Sequence, residues 1–411
     1  MNKPQNKKIV IIGAGPAGLA AALRLWERGE RDLVLLEREA EPGGILRQCI
    51  HDGFGLTRFG ETLSGPEYAA RFADPAIASG IEIITGATVI GLTSDRLVTA
   101  ATRSGLLRYQ AQAVILAMGC RERTRGALSI PGQRPAGVFT AGVAQTYMNL
   151  KNTMVGREAV ILGSGDIGMI MARRLTLEGA KVKAVFEIQP YPSGLPRNIE
   201  QCLNDYHIPL YLSHTVTEIR GKNRLSSVVV SQVDDSRRPI PGTEQEIRCD
   251  TLILSVGLIP ENELTRMAGA TIDPGTSGAL VDEHYQTTVP GIFSAGNVLH
   301  VHDLVDFVSL EAEALADSVL RYCDGGLPPS PVEVSGEGCG QLVPQRISGQ
   351  TEVTISFRPR RPMRGCTVSA VQDGEVIASR RIPRANPAEM ERLVIPAGAL
   401  RSQHPIKVVL A

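Results

Sequence analysis

Residues 8–37 read KIVIIGAGPAGLAAALRLWERGERDLVLLE, and their order decides the fold. The opening β-branched run, residues 8–12, has the character of a strand buried on both faces of a parallel sheet. It runs into Gly13-Ala-Gly15-Pro-Ala-Gly18, an Ala-rich helical segment, and a second strand, Leu33–Leu36, that ends at Glu37. Gly13 permits the tight turn out of the strand. Gly15 lets the backbone approach a pyrophosphate, and Gly18 lets helix and strand pack closely. The helix then presents free N–H groups and the positive end of its dipole to phosphate oxygens. Glu37, nineteen residues after Gly18, stands where a carboxylate accepts hydrogen bonds from ribose hydroxyls.

A lone G-x-G-x-x-G is weak evidence. Here the pattern extends to Ala22, Gly29 and Glu37, at offsets of four, seven and eight residues, and residues 158–187 repeat it. A strand at Glu158–Leu162 leads into Gly163-Ser-Gly165-Asp166-Ile167-Gly168, and Ala172, Gly179 and Glu187 recur at the same offsets. Two copies in register at six positions mark a chain built to grip two adenine dinucleotides. A carboxylate at Glu187 favours a free ribose 2′-hydroxyl and repels a 2′-phosphate, which predicts NAD(H) over NADP(H) at the second site.

The remaining features bound the problem. A chain of 411 residues is long enough for two or three domains. Lys plus Arg and Asp plus Glu both number 43, so no excess charge calls for nucleic acid or an anionic membrane. No stretch approaches the roughly 18 apolar residues of a membrane span, and residues 1–7 contain no apolar signal core. The seven cysteines (49, 120, 202, 249, 323, 339 and 366) are dispersed, with none at C-x-x-C spacing. That excludes a thioredoxin-type dithiol, a zinc ribbon and a clustered iron–sulfur site, and fits reduced thiols in a cytoplasmic protein. His300 and His302 stand at i, i+2, but two loop histidines alone rarely make a metal site, so no metal is assigned.

Along the chain, the Gly-rich segment Gly43-Gly44 to His51 precedes a helix at about 65–79. The apolar run Ala113–Met118 closes at Gly119, and an Arg-rich stretch (Arg121, Arg123, Arg125) leads to Ile-Pro131-Gly132. The second dinucleotide unit starts near 135 and closes with Thr251–Val256 before Gly257. Helical periodicity covers 303–322, and a Pro-rich linker at 327–331 introduces alternating Val, Ile and Thr over 332–411, the mark of a small β-rich domain.

The order of these signals, with Pro290-Gly-Ile-Phe-Ser-Ala-Gly296-Asn297 near the end, resembles the FAD-dependent pyridine nucleotide–disulfide oxidoreductase superfamily over roughly residues 7–323. The segments GGILRQCIHDGFG (from Gly43), AMGCRERTRGALSIPG (from Ala117) and GNVLHVHDLVDFVS (from Gly296) resemble a narrower bacterial group that accompanies an anaerobic glycerol-3-phosphate dehydrogenase-like flavoprotein. More distantly they are similar to the FAD/NAD-binding subunits of opine oxidase, dye-linked proline dehydrogenase and hydrogen cyanide synthase. The resemblance implies an α/β architecture of two Rossmann-like three-layer domains, one inserted in the other, plus the C-terminal β-rich domain. The FAD domain is expected at 1–120 and 284–325, the NAD domain at 121–283, and the β-rich domain at 332–411.

For FAD the expected residues are Gly13, Gly15, Pro16, Ala17, Gly18, Glu37, Arg38, Gly43, Gly44, Ala117, Gly119, Gly296, Asn297, Val305 and Val308. The superfamily usually carries Asp where Asn297 stands. For NAD they are Gly163, Gly165, Asp166, Ile167, Gly168, Glu187 and Gly257. The superfamily's disulfide reductases place paired cysteines beside the flavin, whereas here the candidate segments offer only Cys49 and Cys202. Cys49 and His51 are weak catalytic candidates; a packed thiol and a surface imidazole are the simpler readings. The expected function is hydride or electron exchange between NAD(H) and a partner flavoprotein dehydrogenase or small-molecule redox substrate, without a redox disulfide. The alternatives are a nucleotide-binding structural or regulatory subunit, and an NADH oxidase or disulfide reductase.

Overall fold

The apolar runs on either side of the first glycine motif become the centre of a seven-stranded sheet in the computed structural model, which describes residues 3–411. Met1 and Asn2, with which the expected FAD domain begins, lie outside the described residues. The Gln5–Ile12 strand pairs in parallel with Leu33–Leu36 on one side and Gly105–Leu116 on the other. Glu82–Ile84 extends the parallel set beyond Leu33–Leu36, and Ile292–Ser294 joins Gly105–Leu116 from far along the chain. A hairpin, Thr88–Leu92 with Leu97–Thr102, adds antiparallel strands at the other edge. Ile9, Val10 and Ile11 have no exposed surface, as a strand covered on both faces requires.

Helices cover this sheet. Pro16–Glu27 buries Leu19, Ala20, Ala21, Ala22 and Leu25; its run of alanines lets the long helix Val305–Gly325 pack against it in a shared core with Ala312, Leu315, Ala316 and Val319. Gly65–Ala78 starts from a capping box in which Ser64 and Glu67 satisfy each other's backbone N–H groups.

The chain divides into two compact units. One runs to Cys120 and resumes at Pro260–Ala411; the other is Arg121–Ile259. The inserted unit therefore ends at Ile259 rather than at 283. Residues 260–283 belong with the first unit because their apolar side chains pack there: Leu264 and Ala268 join Val10, Val34, Val114 and Ile292, and Ala279 and Val281 pack with Leu299 and Val343.

The second unit has an all-parallel sheet in the order Val138–Thr140, Thr251–Leu254, Glu158–Leu162, Lys181–Glu187, Leu210–Leu212. A three-stranded antiparallel sheet (His214–Arg220, Ser227–Gln232, Gln245–Arg248) packs on it through Val216, Val228 and Leu252.

Residues 332–411 form a five-stranded and a three-stranded sheet enclosing Ile355, Phe357, Val368, Ile406 and Val408. This β-rich module has its own core but is joined to the rest of the first unit by buried polar bonds. Gln345 donates its backbone N–H to Val281 O, and its side-chain Oε1 accepts the Val281 N–H at 2.9 Å. Arg392 lies over the Phe307 ring at 3.7 Å, within reach of a cation–π attraction. Gln345→Ala leaves the Val281 N–H buried without its acceptor, at a cost of about 1–3 kcal/mol. The expected result is a lowered denaturant midpoint and faster hydrogen exchange at Val281; unchanged exchange there would show that this bond does not hold the module.

Candidate functional site

Each dinucleotide motif folds into a cradle whose parts depend on one another. In the first, a side chain on Gly13 (φ +104°) would meet Ala117 O at 2.4 Å, and one on Gly18 would meet Gly13 O at 1.8 Å. Neither position admits a Cβ. Gly15 differs: the nearest atom to its would-be Cβ is Gly44 Cα, at 4.0 Å, so its outer side is open. Gly44 (φ +61°) in turn faces Gly15, and its own Cβ would stand 2.9 Å from Gly15 Cα. Gly43 donates its N–H to Ala14 O at 2.8 Å. Two glycine loops thus touch backbone to backbone.

Glu37 locks this arrangement. It is 6% exposed, and its Oε2 accepts the Ala14 N–H at 2.7 Å while Oε1 accepts the Glu39 N–H at 2.8 Å. Each oxygen keeps further acceptor capacity for a hydroxyl. The helix that follows has no side-chain cap at Gly15, so its first-turn N–H groups remain to be satisfied from outside. Gly296 closes the far side, its would-be Cβ meeting Ala17 Cβ at 2.9 Å and Val308 Cγ1 at 3.2 Å. These features, an open Gly15, an uncapped helix end and a buried carboxylate at the strand tip, fit the diphosphate and ribose of an adenine dinucleotide.

The second cradle repeats the geometry. Gly163 (φ +100°) approaches Ser255 O, and Gly168 approaches Gly163 O and Ser255 Cβ. The Asp166–Leu177 helix has no side-chain cap at Gly165. Glu187, 4% exposed, accepts the Ser164 N–H at 2.9 Å and the Gln189 N–H at 2.9 Å. It also accepts two hydroxyls, from Ser164 at 2.7 Å and Ser193 at 2.8 Å, both on Oε2. Asp166 accepts the Leu195 N–H and the Asn198 side-chain amide, drawing residues 193–198 onto the start of the helix. Beyond Glu187 lies a hollow of about 230 Å³ lined by Ile188, Gln189, Pro190, Tyr191, Ser213, Asp234, Asp235 and Arg237.

Not every expected residue joins these cradles. Arg38 points outward, beside Glu39. Gly257 is exposed and lies near the Arg123 side chain, and Ile167 packs against the second unit's core. The half-buried Arg125 donates its guanidinium N–H groups to the carbonyls of Ile130, Gly132 and Gln133 and so shapes the Ile-Pro-Gly turn. Asn297 accepts the His302 N–H at 3.0 Å and donates to Cys120 Sγ at 3.6 Å. Cys49 donates to Ile45 O, and burial pushes its thiol up to about 12. His51 donates from Nδ1 to Asp52 O at 3.0 Å and packs beside Phe54.

Four groups escaped the motif reading. Ser164 and Ser193 complete the bonding of Glu187. Asp306, buried in the first turn of Val305–Gly325, accepts the N–H groups of Gly55 and Arg58 and holds that loop. Glu311 accepts the Gly296 N–H at 2.7 Å and stands against His300 and His302. Burial works to raise the Glu311 pKa, but His302 and His300 outweigh it and hold the carboxyl well below the usual range. Burial, reinforced by His302, pulls His300 below the ordinary imidazole value. A sequence search keyed to glycines has no signal for any of the four.

The fold and its paired cradles define an oxidoreductase with two dinucleotide-binding folds. More particularly, the chain belongs to the pyridine nucleotide–disulphide oxidoreductase family, whose model matches residues 7–312. A thioredoxin reductase from Listeria innocua is 29% identical over 327 residues, covering 78% of this chain and 90% of that protein. Hydrogen cyanide synthase subunit HcnB from Pseudomonas aeruginosa is 27% identical, covering 71% of this chain and 66% of that protein. The crystal structure of thioredoxin reductase from T. acidophilum shares the fold, with a TM-score of 0.63 at 24% identity over 77% of this chain and 98% of that one. Membership makes the protein a FAD-dependent oxidoreductase of a family that works with NAD(P). Among the described residues, no helix is long and apolar enough to cross a membrane.

Two outcomes test this geometry. Gly44→Ala places a Cβ against Gly15 at a positive φ, a strain of about 1–2 kcal/mol, and should weaken flavin retention roughly tenfold in an equilibrium titration of the stripped protein. Undiminished retention would remove Gly44 from the cradle. At pH 8 Cys49 holds on the order of a thousandfold less thiolate than an ordinary thiol, so iodoacetamide should label it far more slowly than a denatured control, as read by peptide mass spectrometry.

Proposed function

We propose that this chain exchanges hydride between NAD(H) and its flavin and passes electrons to a partner dehydrogenase subunit, without a redox disulfide, in a glycerol-3-phosphate dehydrogenase-like system. The observation that carries the reading is the pairing of two phosphate cradles, each closed by a buried carboxylate, with thiols that burial keeps protonated. Burial pushes Cys49 and Cys249 up to about 12, Cys323 and Cys339 up to about 11, and Cys202 upward as well. Thiol–disulfide exchange needs a thiolate, so these groups are poorly suited to carry electrons away. HcnB, by its name, is a subunit, which supports an exit through a second protein.

Flavin and nicotinamide supply the hydride chemistry when bound. The chain's own part is to bind, orient and exclude water. Gly13, Gly15, Pro16, Ala17, Gly18, Glu37, Gly43 and Gly44 would hold the ADP half of FAD, and Ala117, Gly119, Gly296, Asn297, Val305 and Val308 would line the rest. Gly163, Gly165, Asp166, Gly168 and Glu187 would hold NAD(H). Glu187 disfavours a 2′-phosphate, and the adjoining hollow offers two carboxylates against one guanidinium.

Anaerobic mixing of the purified holoprotein with NADH should bleach the flavin absorbance faster and more fully than NADPH does. A flavin that stays oxidised would overturn the proposal. Glu187→Ala should raise KM for NADH at least roughly tenfold with kcat within about twofold, the signature of lost ground-state binding.

A second reading, a nucleotide-holding regulatory subunit without turnover, is favoured by the way Ser193 and Leu195 lie bonded across the second cradle. Tight NADH binding that leaves the flavin spectrum unchanged would select it.

A further inference from the structure

The loop between Gly296 and the Val305–Gly325 helix brings two imidazoles against one carboxylate. His300 Nε2 stands 2.9 Å from Glu311 Oε2, and His302 Nε2 stands 3.4 Å from the same oxygen. The three side chains offer ligand atoms that all lie within 4.8 Å of one another. The His302 Nδ1 lies 3.0 Å from His300 O and 3.2 Å from Asn297 Oδ1, both acceptors, so this nitrogen carries the proton. In the neutral ring the Nε2 lone pair then faces the carboxylate oxygen at 3.4 Å, so both atoms are free to ligate a cation. His300 Nδ1 is buried with no hydrogen-bond partner, so either tautomer of that ring leaves one nitrogen unsatisfied.

The surroundings are those of a ligand set. The Glu311 carboxylate is fixed by the Gly296 N–H on its other oxygen. His302 is oriented by a backbone carbonyl on its far nitrogen, the usual outer-shell arrangement for a ligating imidazole. Tetrahedral ligands at about 2.0–2.1 Å from zinc lie roughly 3.3 Å apart; His302 and Glu311, at 3.4 Å, stand at that spacing, and His300, hydrogen-bonded to Glu311 at 2.9 Å, has to move off by about 0.4 Å to reach it. Two imidazoles and one carboxylate suit a borderline transition metal and not magnesium or calcium, which prefer an all-oxygen shell.

We propose that His300, His302 and Glu311 bind one divalent transition-metal ion of the zinc class, leaving the fourth position to water or a small anion. The motif reading found the two histidines and assigned no metal; the helix supplies the third ligand eleven residues after His300. The bound ion would tie the 296–302 turn to the second turn of the helix. This proposal stands apart from the nicotinamide reading and does not require it.

The full chain, stripped with a chelator and re-equilibrated with Zn²⁺, should bind about one equivalent by elemental analysis. With Co²⁺ it should show the visible bands of a tetrahedral nitrogen and oxygen site. His300→Ala and Glu311→Gln should each weaken Co²⁺ binding at least roughly tenfold, with circular dichroism reporting whether each variant is folded. The wild-type titration decides even where a variant fails to fold. No uptake of either ion would overturn the proposal. A near-ultraviolet thiolate-to-cobalt band would place the metal on cysteine and overturn it as well, as would folded variants that bind like the wild type.

Discussion

The hydrogen bond from a loop amide to a buried carboxylate is the constraint on which both halves of this molecule turn. Glu37 takes the N–H of Ala14, and Glu187 takes that of Ser164. A carboxylate so far removed from water is tolerable only when its oxygens are bonded. The bond therefore fixes the height of the glycine loop above the tip of the neighbouring strand. With the loop held there, the carbonyls of Ala117 and Ser255 press close under Gly13 and Gly163, and only glycine can stand at those positions. The open side of Gly15 and the uncapped helix that follows it are consequences of the same geometry.

The two cradles are alike in plan and unlike in finish. In the first, Glu37 keeps acceptor capacity and the partner loop is glycine, so backbone faces backbone. In the second, two serine hydroxyls share one oxygen of Glu187, and Asp166 draws the following segment over the helix start. A ligand at the first cradle meets a surface already shaped for it. One at the second finds Oε2 of Glu187 occupied by the two hydroxyls and the Ser164 N–H, with Oε1 bonded to the Gln189 N–H alone, a difference of chemistry between sites with the same glycine spacing.

Around the first cradle, the Val305–Gly325 helix does more than cover the sheet. Its buried Asp306 anchors Gly55 and Arg58, and its Glu311 anchors Gly296. Loops from residues 55 and 296 are thereby referred to one rigid element. The β-rich module adds a further restraint, because Arg358 donates to Val301 O and the Met390 N–H to Asp303.

What could be read from the sequence was what is local in the chain. Strand, glycine turn, helix, strand and carboxylate fall within some thirty residues at fixed offsets, since each offset follows from the rise of a helix and the packing of one strand against the next. The paired motifs and the β-rich character of 332–411 were legible for that reason, as was the absence of a C-x-x-C dithiol. Tertiary structure decided what depends on chain segments far apart. It placed residues 260–283 with the first unit because their apolar side chains pack there, turned Arg125 onto carbonyls of its own loop, and brought Ser193 to Glu187. It also carried Glu311 to two histidines, since only the path of the chain from loop into helix determines which carboxylate faces them.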